Sequence, residues 1–301
     1  MIRNFDEMLE QVKSSTDKTL VIAAAHGKVA IDAAVMALKK NLCRSILVGD
    51  KSYIEEYLRD NYPEDISHFE IIDCEDDQVK AAIKSVELVR QGRGDLIMKG
   101  ICDSATLLRA ILDKNNGLRT KNIMSDVLAY ETPEKIMMMG DGGFIPLPDI
   151  NDKISIITNC VRVAHALGNK NPKVALLTHT EKVNLKNQST VDAAILTKMN
   201  RRKQIKGCTV EGPLAFDLAV SPEAAEIKGI KTEVAGKADI LIVPNIESGN
   251  IFGKSLTYYA RYRVAHVVLG AKVPVLITSR ADNAETKMLT IALGVITCCV
   301  N

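Results

Sequence analysis

ADILIVPNIESGNIFGKS, residues 238–255, runs from an apolar segment through a proline into a polar, glycine-containing stretch that ends in Lys254-Ser255. Consecutive apolar residues without alternation suit a strand buried on both faces, and a polar stretch leading to a helix start suits an anion, because unsatisfied N–H groups and the helix dipole favour negative charge there. The segment nearly matches G-x-x-x-x-G-K-[ST], but Ser248 stands where the first glycine of that pattern should turn the backbone around a phosphate. We therefore expect a phosphate-handling loop and not a nucleotide triphosphatase.

Similar apolar runs recur along the chain at Leu20–Ala24, Ser45–Val48, Phe69–Ile72, Leu96–Met98, Val174–Leu177 and Val273–Ile277, with helical patterns between them. Strands interleaved with helices imply βαβ units and parallel sheets, so the expected class is α/β. The chain has 301 residues, about twice a typical domain, which points to two domains. The zone 132–152, dense in glycine and proline around Met137-Met138-Met139, is the expected crossing between them.

A net charge of +2 with no basic stripe argues against nucleic-acid binding, and 4% aromatic residues without tryptophan argue against a base-stacking platform. The seven cysteines show no C-x-x-C pair, so no metal site is expected and the thiols read as reduced. The N-terminal MIRNFDEMLEQVK lacks the apolar core of a signal peptide and no run is long enough for a membrane span, which leads us to expect a soluble, cytoplasmic protein.

Three further segments carry candidate chemistry. In LITSRADNAETKM, Ser279 and Arg280 leave a strand end, where parallel sheets place ligands and where a guanidinium can clamp an oxyanion. Asp282 or Asn283 there is a candidate helix cap, so a capped turn with a surface arginine is an equal reading. In GCTVEGPLAFDLAV, Glu211-Gly212-Pro213 sits at another expected strand end; Glu211 is a base, a partner for Lys254 or Arg280, or a salt-bridge or capping residue. Lys99-Gly100-Ile101-Cys102-Asp103-Ser104 is a second strand-to-helix loop, with Arg109 beyond it, and His179 in LLTHT occupies one more strand end. Ser221-Pro222-Glu223 reads as a helix start.

The blocks Val210–Asp217, Glu233–Asp239 and Pro244–Asn250, followed by Lys254, resemble the phosphate acetyl/butyryl transferase family, over essentially the whole chain. Within it, Ser279-Arg280-Ala281-Asp282, Glu285-Thr286-Lys287-Met288 and Lys206-Gly207-Cys208 resemble the butyryltransferase branch. The resemblance implies reversible transfer of a short acyl group between coenzyme A and inorganic phosphate. It also implies two α/β domains of the isocitrate/isopropylmalate dehydrogenase-like type with a cleft between them, and a homo-oligomer built on dimers. The first domain is expected to be discontinuous, residues 1–135 with 284–301, and the second to be 136–283. Coenzyme A enters as substrate or product, with no permanently bound cofactor.

By the same resemblance Arg280 matches a phosphate-binding arginine, with Ser279 beside it. Asn250 and Lys254 supply further donors, and Lys99 or Arg109 meets coenzyme A phosphates. In the acetyl branch an aspartate proposed to deprotonate the thiol stands at the position of Thr286, so Asp282 and Glu285 are the candidate carboxylates to substitute for it. Gly253 stands where relatives often carry tyrosine. Direct attack by phosphate predicts sequential kinetics. Competing readings are an acetyltransferase, a decarboxylating dehydrogenase and a non-catalytic coenzyme A- or phosphate-binding regulator.

Overall fold

The structure is a computed structural model that describes residues 1–13, 17–279 and 281–299. Its chain divides into two compact units, Phe5–Asn122 with Val264–Asn301, and Met1–Asn4 with Ile123–Arg263.

The first unit opens with α1 (Phe5–Val12), then alternates β1 (Thr19–Ala23), α2 (Lys28–Lys39), β2 (Arg44–Gly49), α3 (Lys51–Asn61), β3 (Glu70–Asp73), α4 (Gln78–Arg90), β4 (Leu96–Lys99) and α5 (Ser104–Ile111). One device starts three of these helices: Asp50, Asp77 and Asp103 each accept backbone N–H groups of the first turn, as good N-caps do.

The second unit follows as β5 (Ser125–Glu131), β6 (Ile136–Gly140), α6 (Ile150–Ala166), β7 (Lys173–Leu177), α7 (Gln188–Arg201), β8 (Thr209–Leu214), α8 (Phe216–Val220), α9 (Pro222–Ile227), β9 (Ile240–Ile242) and α10 (Ile246–Tyr258). The chain then returns to the first unit with β10 (Val264–Leu269), β11 (Val275–Leu276) and α11 (Ala284–Cys298).

In the first unit the strand order is β3-β2-β1-β4-β11-β10. All its pairings are parallel except β10 with β11. In the second it is β5-β6-β9-β7-β8, parallel apart from the β5–β6 pair. The α/β class and its parallel strands are as expected, because β1, β4 and β9 are buried at nearly every residue and read as continuous apolar runs.

Three expectations need correction. The glycine- and proline-rich zone does not join the units; it lies inside the second, and Ile136–Gly140 forms the wholly buried β6. The methionine triplet is thus packing material, and Gly140 is required because a Cβ there would meet Cys160 Sγ at 2.6 Å. The expected boundaries also shift: a cut at 135/136 would sever β5 from β6, which pair over four residue positions. On the other side β10 and β11 fall in the first unit, so the units divide at Asn122/Ile123 and Arg263/Val264. Finally, Glu211 is not at a strand end but inside β8, opposite Ala175 of β7.

Candidate functional site

In an open parallel sheet, ligands collect at the carboxyl ends of the strands where the strand order reverses. In the first unit that point lies between β1 and β4: from β1 the chain moves to β2 on one side, whereas β4 lies on the other. Ala23 at the end of β1 is in register with Lys99 at the end of β4, and β11 pairs Leu276 with Met98, so three strands finish along one edge. The loops leaving them carry Gly27, Gly100 and Ser279.

Backbones approach closely at this edge. A Cβ on Gly100 would lie 2.1 Å from the carbonyl oxygen of Ala24, so only glycine fits. Beside it is a cavity of about 460 Å³ whose walls include Gly27, Lys28, Gly100, Asp103 and Lys287. Lys99 is 4% exposed and donates to the carbonyl oxygens of Gly100 (3.3 Å) and Cys102 (3.2 Å). It is thus the last residue of β4, buried beneath the strand-to-helix loop on which the sequence reading places it.

Ser279 follows β11 and is half-buried. Its amide donates to Asp282 Oδ2 at 2.7 Å, and the Asp282 amide returns to the Ser279 carbonyl at 3.2 Å. Asp282 therefore closes the turn that presents Ser279, while Asn283 caps α11 by accepting from the Thr286 amide at 2.8 Å. Of the two candidate caps, Asn283 does the work. Glu285 is exposed in the first turn of α11. Arg280 lies outside the described residues.

Lys287, one turn into α11, was not singled out from the sequence. It is 6% exposed, and its Nζ donates to Thr278 Oγ1 at 2.7 Å and to the Ser279 carbonyl at 3.1 Å. Burial pushes its pKa below the usual lysine value; Asp282 opposes that and the charge of Lys99 adds to it. A signal was present: Lys287 opens a run through Thr297 that is buried at every residue, where a charged side chain needs a reason.

Arg109 points elsewhere in the first unit. It lies on α5 beside a groove of about 570 Å³ with apolar walls at Val79, Ile83 and Val86, and with Arg90 on the opposite helix. Its Nε donates to the Ala105 carbonyl at 3.2 Å, and the Arg90 guanidinium donates to Asn116 Oδ1 at 2.9 Å.

In the second unit the carboxyl ends of β7 and β9 open onto a cavity of about 780 Å³ lined by Thr178, His179, Asn187 and Asn245, with Lys153 and Asp192 in its wall. Lys153 Nζ and Asp192 Oδ2 form a buried ion pair at 2.6 Å, and Gln188 donates to the other oxygen of Asp192 at 2.7 Å. His179 occupies the strand end expected of it and meets Asn187 at 3.2 Å.

The opening motif changes character here. Asn245 caps α10 by accepting from the Ser248 amide at 3.0 Å, so Glu247-Ser248-Gly249-Asn250 is the first turn of a helix and not a loop. Lys254-Ser255 is mid-helix, which removes the helix-start reading of that pair. Asn250 and Lys254, four residues apart, share one face and are both exposed. Asn250 Nδ2 reaches the Gly142 carbonyl at 3.5 Å, and Lys254 Nζ lies 6.0 Å from the Tyr258 ring centre. Glu211 pairs with Arg201 at 2.9 Å, a salt bridge with a partner the sequence does not suggest.

Residues 74–295 match the family model described as Phosphate acetyl/butaryl transferase. The chain belongs to the phosphate acetyl/butyryl transferase family. A phosphate butyryltransferase from Clostridium beijerinckii is 44% identical over 98% of this chain and 97% of its own length. A phosphate acetyltransferase from Thermotoga maritima is 42% identical over 97% and 99%. The crystal structure of a branched-chain phosphotransacylase from Enterococcus faecalis V583 superposes with a TM-score of 0.83 at 30% identity, covering 94% of this chain and all of that one. The family resemblance carried by the Val210–Asp217 and Pro244–Asn250 blocks is thereby borne out.

Proposed function

We propose that this protein transfers a short acyl group, butyryl or similar, between coenzyme A and inorganic phosphate, giving acyl phosphate and free coenzyme A. The observation that carries this reading is the 44% identity to a phosphate butyryltransferase over nearly the full length of both chains. The strand-end edge with Ser279 and buried lysines supplies the chemistry that such a reaction needs: fixed donors for an anionic nucleophile and for the oxyanion of the tetrahedral intermediate.

Ser279 and Arg280 are assigned to phosphate, with Asp282 holding the turn of Ser279. Glu285 is the carboxylate assigned to the thiol proton. Asn250 and Lys254, on one face of α10, are assigned to substrate as further donors. Arg109, with Arg90 and the apolar walls of its groove, suits the charged and adenine portions of coenzyme A. Phosphate attacks the thioester directly, so no residue becomes acylated. The enzyme is expected to be a cytoplasmic homo-oligomer, with coenzyme A only as substrate or product.

A preference for acetyl groups is the second reading, favoured by the 42% identity to the Thermotoga maritima enzyme. One or two methylenes discriminate by only about 1–3 kcal/mol in a hydrophobic pocket, so overlap between the two is expected. Initial velocities with acetyl-, propionyl-, butyryl- and isobutyryl-CoA against varied phosphate decide both points. Intersecting double-reciprocal lines with the highest kcat/KM for the four-carbon substrates fit the proposal. Parallel lines refute direct attack, and a higher value for acetyl-CoA selects the second reading.

A further inference from the structure

Two lysines of this fold are buried to the same degree but are treated differently. Lys153 and Lys287 are each 6% exposed. Lys153 has a carboxylate at 2.6 Å, as a buried ammonium normally requires. Lys287 has only neutral oxygens in contact, Thr278 Oγ1 and the Ser279 carbonyl, and no carboxylate at ion-pair distance among the described residues.

The surroundings make this costlier. Lys99, itself 4% exposed, is near enough to depress the ionisation of Lys287. Among the described residues, the charged groups facing Lys287 are Lys99 from β4, Lys28 from α2 and Asp103 from the loop after β4, the last two lining the same cavity, and Asp282 from the turn before α11. On β10, His266 is the titratable residue, and its amide is turned to Thr290, further along α11. Asp282 is already engaged by the Ser279 amide. A buried ammonium held only by neutral oxygens, as that of Lys287 is, is a net cost unless an anion joins it.

We propose that Lys287, with Lys99 and the adjoining turn at Ser279, forms a buried binding site for the phosphoryl dianion of inorganic phosphate or acyl phosphate. Three features place the ligand. The cavity lined by Lys287 opens at the reversal of strand order, where α/β sheets receive ligands. Gly100 lets the β4 loop lie against the Ala24 backbone, keeping the Lys99 loop close to the cavity. The Lys287 ammonium is anchored on the carbonyl of Ser279, so its position follows that of the serine. The site rests on the acyl-transfer reading for its physiological ligand, but not for the binding of phosphate itself.

The test compares wild type with Lys287→Met, Lys287→Arg and Lys99→Met. With butyryl-CoA as donor, Lys287→Met is expected to raise the phosphate KM about tenfold or more, as for loss of a hydrogen bond to a charged group, while the acyl-CoA KM changes less than about twofold. Lys287→Arg, keeping the charge, is expected to fall between the two. An unchanged phosphate KM overturns the proposal. An equal or larger rise in acyl-CoA KM also does, by placing a coenzyme A phosphate there.

Folding and the acyl-transfer reading are tested separately on the wild-type protein. Inorganic phosphate is expected to slow reductive methylation of Lys287 and Lys99, followed by peptide mass spectrometry, but not that of the exposed Lys203 in the second unit. This readout needs neither turnover nor a variant that folds. Equal labelling of Lys287 with and without phosphate refutes the site even if acyl transfer is observed, and protection without turnover refutes the acyl-transfer reading alone.

Discussion

Gly249→Ala probes the motif that opens α10. A Cβ at residue 249 would lie 2.7 Å from Gly142 Cα, 2.8 Å from the Asp141 carbonyl oxygen and 3.0 Å from Val243 Cγ2. Two of these three atoms belong to backbone that cannot rotate away, so α10 or the 141–142 turn must move. Overpacking of this kind costs about 1–3 kcal/mol, and alanine returns about 1 kcal/mol through helix propensity, leaving a net loss of up to about 2 kcal/mol.

Gly253→Ala on the same helix is the matched control. Its Cβ would meet only side-chain ends, Leu128 Cδ2 at 3.1 Å and Met139 Cε at 3.6 Å, so the propensity gain should dominate and stability should be unchanged or rise by up to about 1 kcal/mol. Urea denaturation followed by circular dichroism reads both variants. Acyl transfer should fall with Gly249→Ala, since a shift of about 1 Å in a substrate-positioning group can cost up to about 100-fold. If Gly249→Ala proves as stable as Gly253→Ala, the close approach of α10 to the 141–142 turn is refuted.

Other outcomes follow from the same physics. Asp192→Ala strands the buried Lys153 ammonium and is expected to cost about 3–5 kcal/mol in urea denaturation, with most of it recovered in a Lys153→Met/Asp192→Leu double variant; a loss under about 1 kcal/mol would contradict the buried pair. Asp141 is pushed up to about 6, first by burial and then by neighbouring Asp126. Its protonated form therefore favours the fold: that contribution is fully present below the unfolded pKa near 4 and is lost as pH rises through about 6. Relative to Asp141→Asn, wild type should gain up to about 3 kcal/mol between pH 6 and pH 4, and parallel stability profiles would refute it. Asp282→Ala frees the Ser279 amide and is expected to lower kcat with little loss of melting temperature, whereas unchanged kcat would show that the turn does not position the serine.

Much of the scaffold is legible because buried parallel strands advertise themselves as unbroken apolar runs, and because Ser221-Pro222 starts α9 as its chemistry dictates, with Ser221 accepting from the Ala224 amide. The motif at 245–250 reads as a loop because Asn245, Gly249 and Asn250 are poor helix formers. Gly249 is there for a backbone contact made more than 100 residues away in sequence, which no local pattern records. The 132–152 zone resembles a linker for a related reason: Asp141 buries its carboxyl group and accepts amides from Gly143, Phe144 and Ile145, so a polar, glycine-rich turn is held by an internal acceptor. Lys287 does not stand out in the sequence because lysine usually signals a solvated face, and only the burial of the rest of α11 shows otherwise.

The most direct measurement is thiol release from butyryl-CoA by the purified protein, with and without inorganic phosphate. Acyl transfer predicts release that requires phosphate, saturates with it and yields butyryl phosphate in equal amount to free coenzyme A. Release independent of phosphate, or none from any acyl-CoA of two to four carbons, would contradict it.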